Sequence, residues 1–131
     1  MRRSAPIAAV LVIAVVAATS AGAGDAPNRV SATANETDET HMTLILSRAK
    51  SDPGDAKIEF RNDGEDDHDL KIKRVGSEGE TSVGVLHHDE VDEVELRLKR
   101  GAKYRFWCSL QDGLHREYGM EATLRVRNHR S

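Results

Sequence analysis

Lys103–Arg127 reads KYRFWCSLQDGLHREYGMEATLRVR, and it decides the fold because its two ends alternate while its middle does not. Lys103–Cys108 and Ala122–Arg127 each carry a period of two, which predicts two short strands. The stretch between them, CSLQDGLHREYGM, holds Cys108, His115 and Met120. Cys108 ends one strand and Met120 nearly begins the next, so the intervening loop must fold over one end of the structure. Gly113 and Gly119 provide the backbone freedom that this path requires.

Working outward, the same period recurs and helical signals are nearly absent. Met42–Ser47 reads as a first strand, followed by a turn over Ser51–Asp55. Ala56–Asn62 places Ile58 and Phe60 on one face, and Asn62-Asp63-Gly64 breaks it. His68–Arg74 resumes with Leu70 and Ile72 inward, Val83–Leu86 is a weaker strand, and Val94–Leu98 alternates before a turn at Lys99–Ala102. About seven short strands separated by turns predict an all-β protein, a β-sandwich.

The chain has 131 residues, 38% hydrophobic and 31% charged, enough for one domain with one core. Two Phe, two Tyr and one Trp leave that core to rest mainly on Val, Leu and Ile. One cysteine excludes an intramolecular disulfide and a four-cysteine zinc site. A net charge of −3 argues against nucleic acid, which selects a basic face.

Arg2 and Arg3 precede an apolar run, Ile7–Ala18, and Ala21-Gly22-Ala23 has the small-x-small pattern of a signal-peptidase site. Residues 1–23 therefore read as a secretory signal, with an uncleaved anchor the only route to a membrane. Losing two arginines and no acid takes the formal charge from −3 to −5. The expected product is a small, acidic, exported monomer, periplasmic or extracellular and cell-surface. Residues 24–40 have almost no large apolar residue and read as a flexible polar lead-in, leaving 41–131 as the domain. The sequon Asn35-Glu36-Thr37 inside it reads as chance.

Cys108, His115, Met120 and His68, the last at the start of another strand, form a soft donor set that favours copper. Two imidazoles and a thiolate with a weak axial thioether are the ligands of a blue-copper electron-transfer site. A plain surface or core role for each residue is outweighed by their joint spacing. His87-His88, beside Asp89 and Glu90, reads as a solvated turn.

Two stretches, IEFRNDGEDDHDLKI and YRFWCSLQDGLHREYGMEATLRV, resemble the cupredoxins, the small blue copper proteins that include plastocyanin, azurin and auracyanin. The resemblance runs from about Met42 to Arg127. It implies a Greek-key sandwich and one type 1 copper held by His68, Cys108, His115 and Met120. It also implies a His115 edge at the surface among Leu110, Gly113 and Leu114. Two features depart from the family pattern. Six residues separate Cys108 from His115, more than in the most compact members, and Asp69 stands where Asn is common.

The expected function is one-electron transfer between redox partners. A copper carrier, chaperone or sensor in the same compartment is the alternative. No second cysteine is present for a binuclear centre, and no acid–base pair or Gly-x-Ser-x-Gly stands out, so catalysis is not expected. Asp63, Glu65, Asp66, Asp67 and Asp69 crowd the approach to His68, an acidic rim suited to a basic docking face. Trp107 is expected to pack beneath the lead-in.

Overall fold

Alternating burial along the chain builds nine strands in the described residues, 28–130 of a computed structural model. In chain order they are β1 (Asn28–Asp38), β2 (His41–Leu46), β3 (Lys50–Ser51), β4 (Gly54–Asn62), β5 (His68–Arg74), β6 (Glu80–Leu86), β7 (Val91–Leu98), β8 (Lys103–Trp107) and β9 (Glu121–Val126). A single helical turn, α1 (Leu114–Glu117), lies between β8 and β9. The strands form two sheets, ordered β2-β1-β4-β7 and β3-β9-β8-β5-β6. The connections β4 to β5, β6 to β7 and β7 to β8 each pass from one sheet to the other, as a sandwich requires.

All seven strands expected from the alternation are present. The lead-in is corrected: Asn28–Asp38, within the stretch read as a polar tether, is a central strand. β1 pairs antiparallel with β2 and parallel with β4, and Val30, Ala32 and Ala34 are fully buried. Alanine gives little hydrophobic signal, but between two neighbouring strands its small side chain fills the inner face without crowding it. The domain thus includes residues 28–40. The signal segment, 1–23, lies outside the described residues.

Inward residues of both sheets meet in one core. Phe60, Ile58 and Val30 from the first sheet face Phe106, Ile72, Leu70 and Leu124 from the second, all at most 1% exposed. Burying each of these side chains contributes roughly 1.5–3 kcal/mol.

Opposite charges gather at the two ends. The end where β4 finishes and β5 begins carries Asp63, Glu65, Asp66 and Asp67, all exposed. At the other end Arg74, Arg97, Lys99 and Arg100 line a recess of about 600 Å³, and the Arg130 guanidinium lies over Gly54 nearby. β1 starts at this basic end, since Asn28 stands beside Ala56 near the start of β4.

Candidate metal centre

The acidic end is where sheet register assembles a donor cluster. Lys71 of β5 stands opposite Trp107 of β8. Continuing that antiparallel register places Leu70 opposite Cys108 and Asp69 opposite Ser109. On the other side of β8, Trp107 stands opposite Glu121, and the Cys108 amide donates to the Met120 carbonyl at 3.2 Å. Cys108 and Met120 therefore close the base of a hairpin whose loop is residues 109–119.

That loop is held by its own backbone. Gln111, Asp112 and Gly113 all have positive φ and turn the chain into α1, whose second residue is His115. The Met120 amide donates to the His115 carbonyl at 3.0 Å. The Met42 amide of β2 donates to the Tyr118 carbonyl at 3.0 Å, which ties the loop to the opposite sheet. Gly119 has φ of 115°, and a Cβ there would lie 2.5 Å from the Met42 carbonyl oxygen. Only glycine fits this approach.

The result is a buried triad. His68 Nδ1 lies 3.1 Å from His115 Nδ1, and Cys108 Sγ lies 3.8 and 3.6 Å from those two atoms. His68 and Cys108 are 0% exposed and His115 is 2% exposed. With bond lengths of about 2.0 Å to nitrogen and 2.3 Å to sulfur, three ligands around one ion stand about 3.3–3.7 Å apart. The observed separations straddle that range, so the three residues fit a single soft metal ion. Met120 is also 0% exposed, at the hairpin base across from Cys108.

Burial shapes the titration of Cys108 and His115. It pushes the Cys108 thiol up to about 11, with the nearby Asp69 carboxylate adding to the effect and backbone hydrogen bonds opposing it. Burial, together with the neighbouring His68, lowers His115 and keeps its imidazole neutral and ready to ligate. A bound cation reverses the thiol's preference by stabilising the thiolate directly.

Asp69 ties the two ligand segments together. It is 6% exposed, accepts the Ser109 amide at 2.6 Å on Oδ1 and the Ser109 hydroxyl at 2.5 Å on Oδ2. A carboxylate thus bridges β5 to the residue after Cys108 using acceptance alone. Of the five acids in the expected rim, Asp69 is inward and structural. The other four remain at the surface.

Two expectations at the surface are corrected. The His115 ring does not present its edge to solvent: Nε2 is buried and has no hydrogen-bond partner among the described residues. The turn of α1 carries the ring inward, under an open recess of about 500 Å³ lined by Glu65, Asp66, Asp67, Leu110, Gln111 and His115. Trp107 lies on the outer face of β8, in the sheet that does not contain β1. The Arg116 guanidinium covers it at 4.7 Å, a cation–π contact. His87 is held by Asp67 at 2.6 Å and His88 by the Gly64 carbonyl at 2.6 Å, as expected of an exposed turn.

One site residue was absent from the sequence reading. Glu36 of β1 reaches His68, its Oε2 lying 2.8 Å from Nε2. Burial works to raise the Glu36 carboxyl, but hydrogen bonds from the Asp66 amide, His68 and the Glu65 amide outweigh it and hold it below the ordinary value.

No protein-family profile and no curated protein matches the chain. Solved structures do. The dithionite-reduced auracyanin of the photosynthetic bacterium Roseiflexus castenholzii aligns at TM-score 0.57 and 13% identity, over 79% of this chain and 98% of that one. Auracyanin A of Chloroflexus aurantiacus, described as a "blue" copper protein, aligns at 0.54 and 12%, over 76% of this chain and 100% of that one. A multicopper oxidase from Pediococcus acidilactici aligns at 0.58 and 12%, over 82% of this chain but 28% of the oxidase. These likenesses establish the fold: this is the β-sandwich of the auracyanins, the cupredoxin architecture.

Proposed function

We propose that this chain is an exported type 1 copper protein that carries single electrons between redox partners and is not itself an enzyme. The observation that carries the reading is the buried convergence of two imidazole Nδ1 atoms on one thiol, at separations suited to one soft ion, in a chain of auracyanin fold. His68, Cys108 and His115 would supply the strong ligands, and Met120 a weak thioether ligand. Copper bound there would supply one-electron chemistry between Cu(II) and Cu(I). The chain's part is to keep the ligands still. Ser109, pinned by Asp69, fixes the strand end that carries Cys108, and the Met120–His115 backbone bond fixes the loop. Residues held in this way would need little rearrangement between the two oxidation states of a bound ion.

Burial of all three ligands favours a resident cofactor over delivery, which needs ligands a recipient can reach. The recess above His115 opens to the surface, and Glu65, Asp66 and Asp67 are among its walls. A partner with a basic face would be steered to it by charge. Export follows from the signal-like residues 1–23.

Loading the purified protein with copper and recording its visible spectrum and cyclic voltammogram tests the reading. One copper per chain, an intense blue band and a reversible one-electron wave are expected. A colourless adduct, or copper that exchanges freely to a weak chelator, overturns it.

A further inference from the structure

Three donors converge on the Glu36 carboxylate. His68 Nε2 approaches Oε2 at 2.8 Å, while the backbone amides of Glu65 and Asp66 both point at Oε1, the latter at 2.8 Å. A carboxylate only accepts, so it satisfies all three at once. An amide of the same shape does not, because its NH2 must face at least one donor. The fit extends to the neighbouring residue: a Cβ at Gly64 would overlap the Glu36 carboxylate, so the loop carries glycine where Glu36 enters. The Glu36 side chain is only 11% exposed, so water competes weakly for these bonds.

The consequence for His68 is chemical. A proton held on Nε2 by Glu36 leaves the Nδ1 lone pair free, and Nδ1 is the atom that faces Cys108 Sγ and His115 Nδ1. A histidine bonded to a carboxylate through its distal nitrogen is also a more basic ligand. The negative charge beyond the ring favours the more highly charged oxidation state of a bound metal. His115 has no such support, since its Nε2 lacks a partner among the described residues. The two imidazoles are therefore unequal, one anchored and one unrestrained at its far nitrogen.

We propose that Glu36 is a positioning residue that locks His68 in its Nε2–H tautomer and biases bound copper toward Cu(II). The bias rests on the copper reading above; the tautomer does not.

The test uses the full chain and the variants Glu36→Gln and Gly64→Ala, with Asp38→Asn, an exposed carboxylate on the same strand, as control. Nitrogen-15 NMR of the metal-free protein should find the His68 proton on Nε2 in the parent and in Asp38→Asn. It should find a mixture, or a proton on Nδ1, in the other two. After copper loading, Glu36→Gln should keep the blue band while its Cu(II) affinity falls at least tenfold relative to Cu(I). That ratio is a rise of about 59 mV in reduction potential for one electron. A parent His68 protonated on Nδ1 overturns the proposal, whether or not the variants fold. So does a Glu36→Gln protein with the parent's tautomer and potential. If no form of the protein takes up copper, the copper reading falls and the NMR result alone judges Glu36.

Discussion

Gly119→Ala tests whether the ligand loop is truly seated against the opposite sheet. Two costs arise at this position. An alanine at φ of 115° occupies a region that L-residues rarely adopt, at about 1–3 kcal/mol. Its Cβ would also stand 2.5 Å from the Met42 carbonyl oxygen, a backbone atom that cannot rotate aside. Forcing such a contact costs roughly another 1–3 kcal/mol in displaced backbone. The sum, about 2–6 kcal/mol, is a large part of the stability of a small domain. Gly113→Ala provides the comparison, because φ there is 87° and nothing lies within 4 Å of the added methyl. It should cost about 1–2 kcal/mol, the conformational part alone. Urea unfolding of the metal-free proteins resolves the pair. With a slope near 2 kcal/mol per molar, the midpoint should fall by roughly 2 M for Gly119→Ala and by less than about 1 M for Gly113→Ala. Equal midpoints for the two variants would refute the close approach of the loop to β2.

Cys108→Ser should leave the circular dichroism of the β-sandwich intact and abolish the blue band; retained colour would overturn the copper–thiolate assignment, since Cys108 is the one cysteine of the chain. Met120→Leu should keep copper and colour while raising the reduction potential, and Met120→Gln should lower it, as voltammetry will read; an unmoved potential removes Met120 from the axial position. The Cys108 thiol is raised to about 11 from 9.0 in the fold, so above pH 9 the unfolded chain releases this proton first. Stability of the metal-free protein should therefore decline from pH 9 toward 11, and Cys108→Ser should flatten that slope in urea titrations. Electron self-exchange brings two acidic metal ends together, so added salt should accelerate it; a rate indifferent to salt would mean that contact is made through another face.

Strands carrying Ile, Leu or Phe on alternate positions were legible from the sequence, because such side chains have no other reason to recur at a period of two. β1 was not legible. Its inward residues are Val30, Ala32 and Ala34, and its outward ones are polar, so by composition it passes for a tether. Its place is set by partners far along the chain, chiefly the parallel ladder with β4. Losing β1 from the reading also hid Glu36, whose contact with His68 spans 32 positions. A signal was nonetheless present: a glutamate continuing the period-two series of Val30, Ala32 and Ala34, with a Gly64 break shortly before a histidine. The convergence of Cys108 with His115 was legible because one hairpin carries both, where spacing and geometry are nearly the same thing. The inward turn of His115 was not, since it depends on the left-handed residues Gln111 and Asp112, neither of which advertises that conformation.

The separation of charge along the strands makes the described residues an electric dipole with the candidate metal centre at the negative pole. Any charged boundary will therefore sort it by ends before any specific contact forms. A cationic electrode film receives the triad nearest the surface, where tunnelling is shortest. An anionic film receives the Arg74, Arg97, Lys99 and Arg100 end, and holds the triad away by the full length of the β-sandwich.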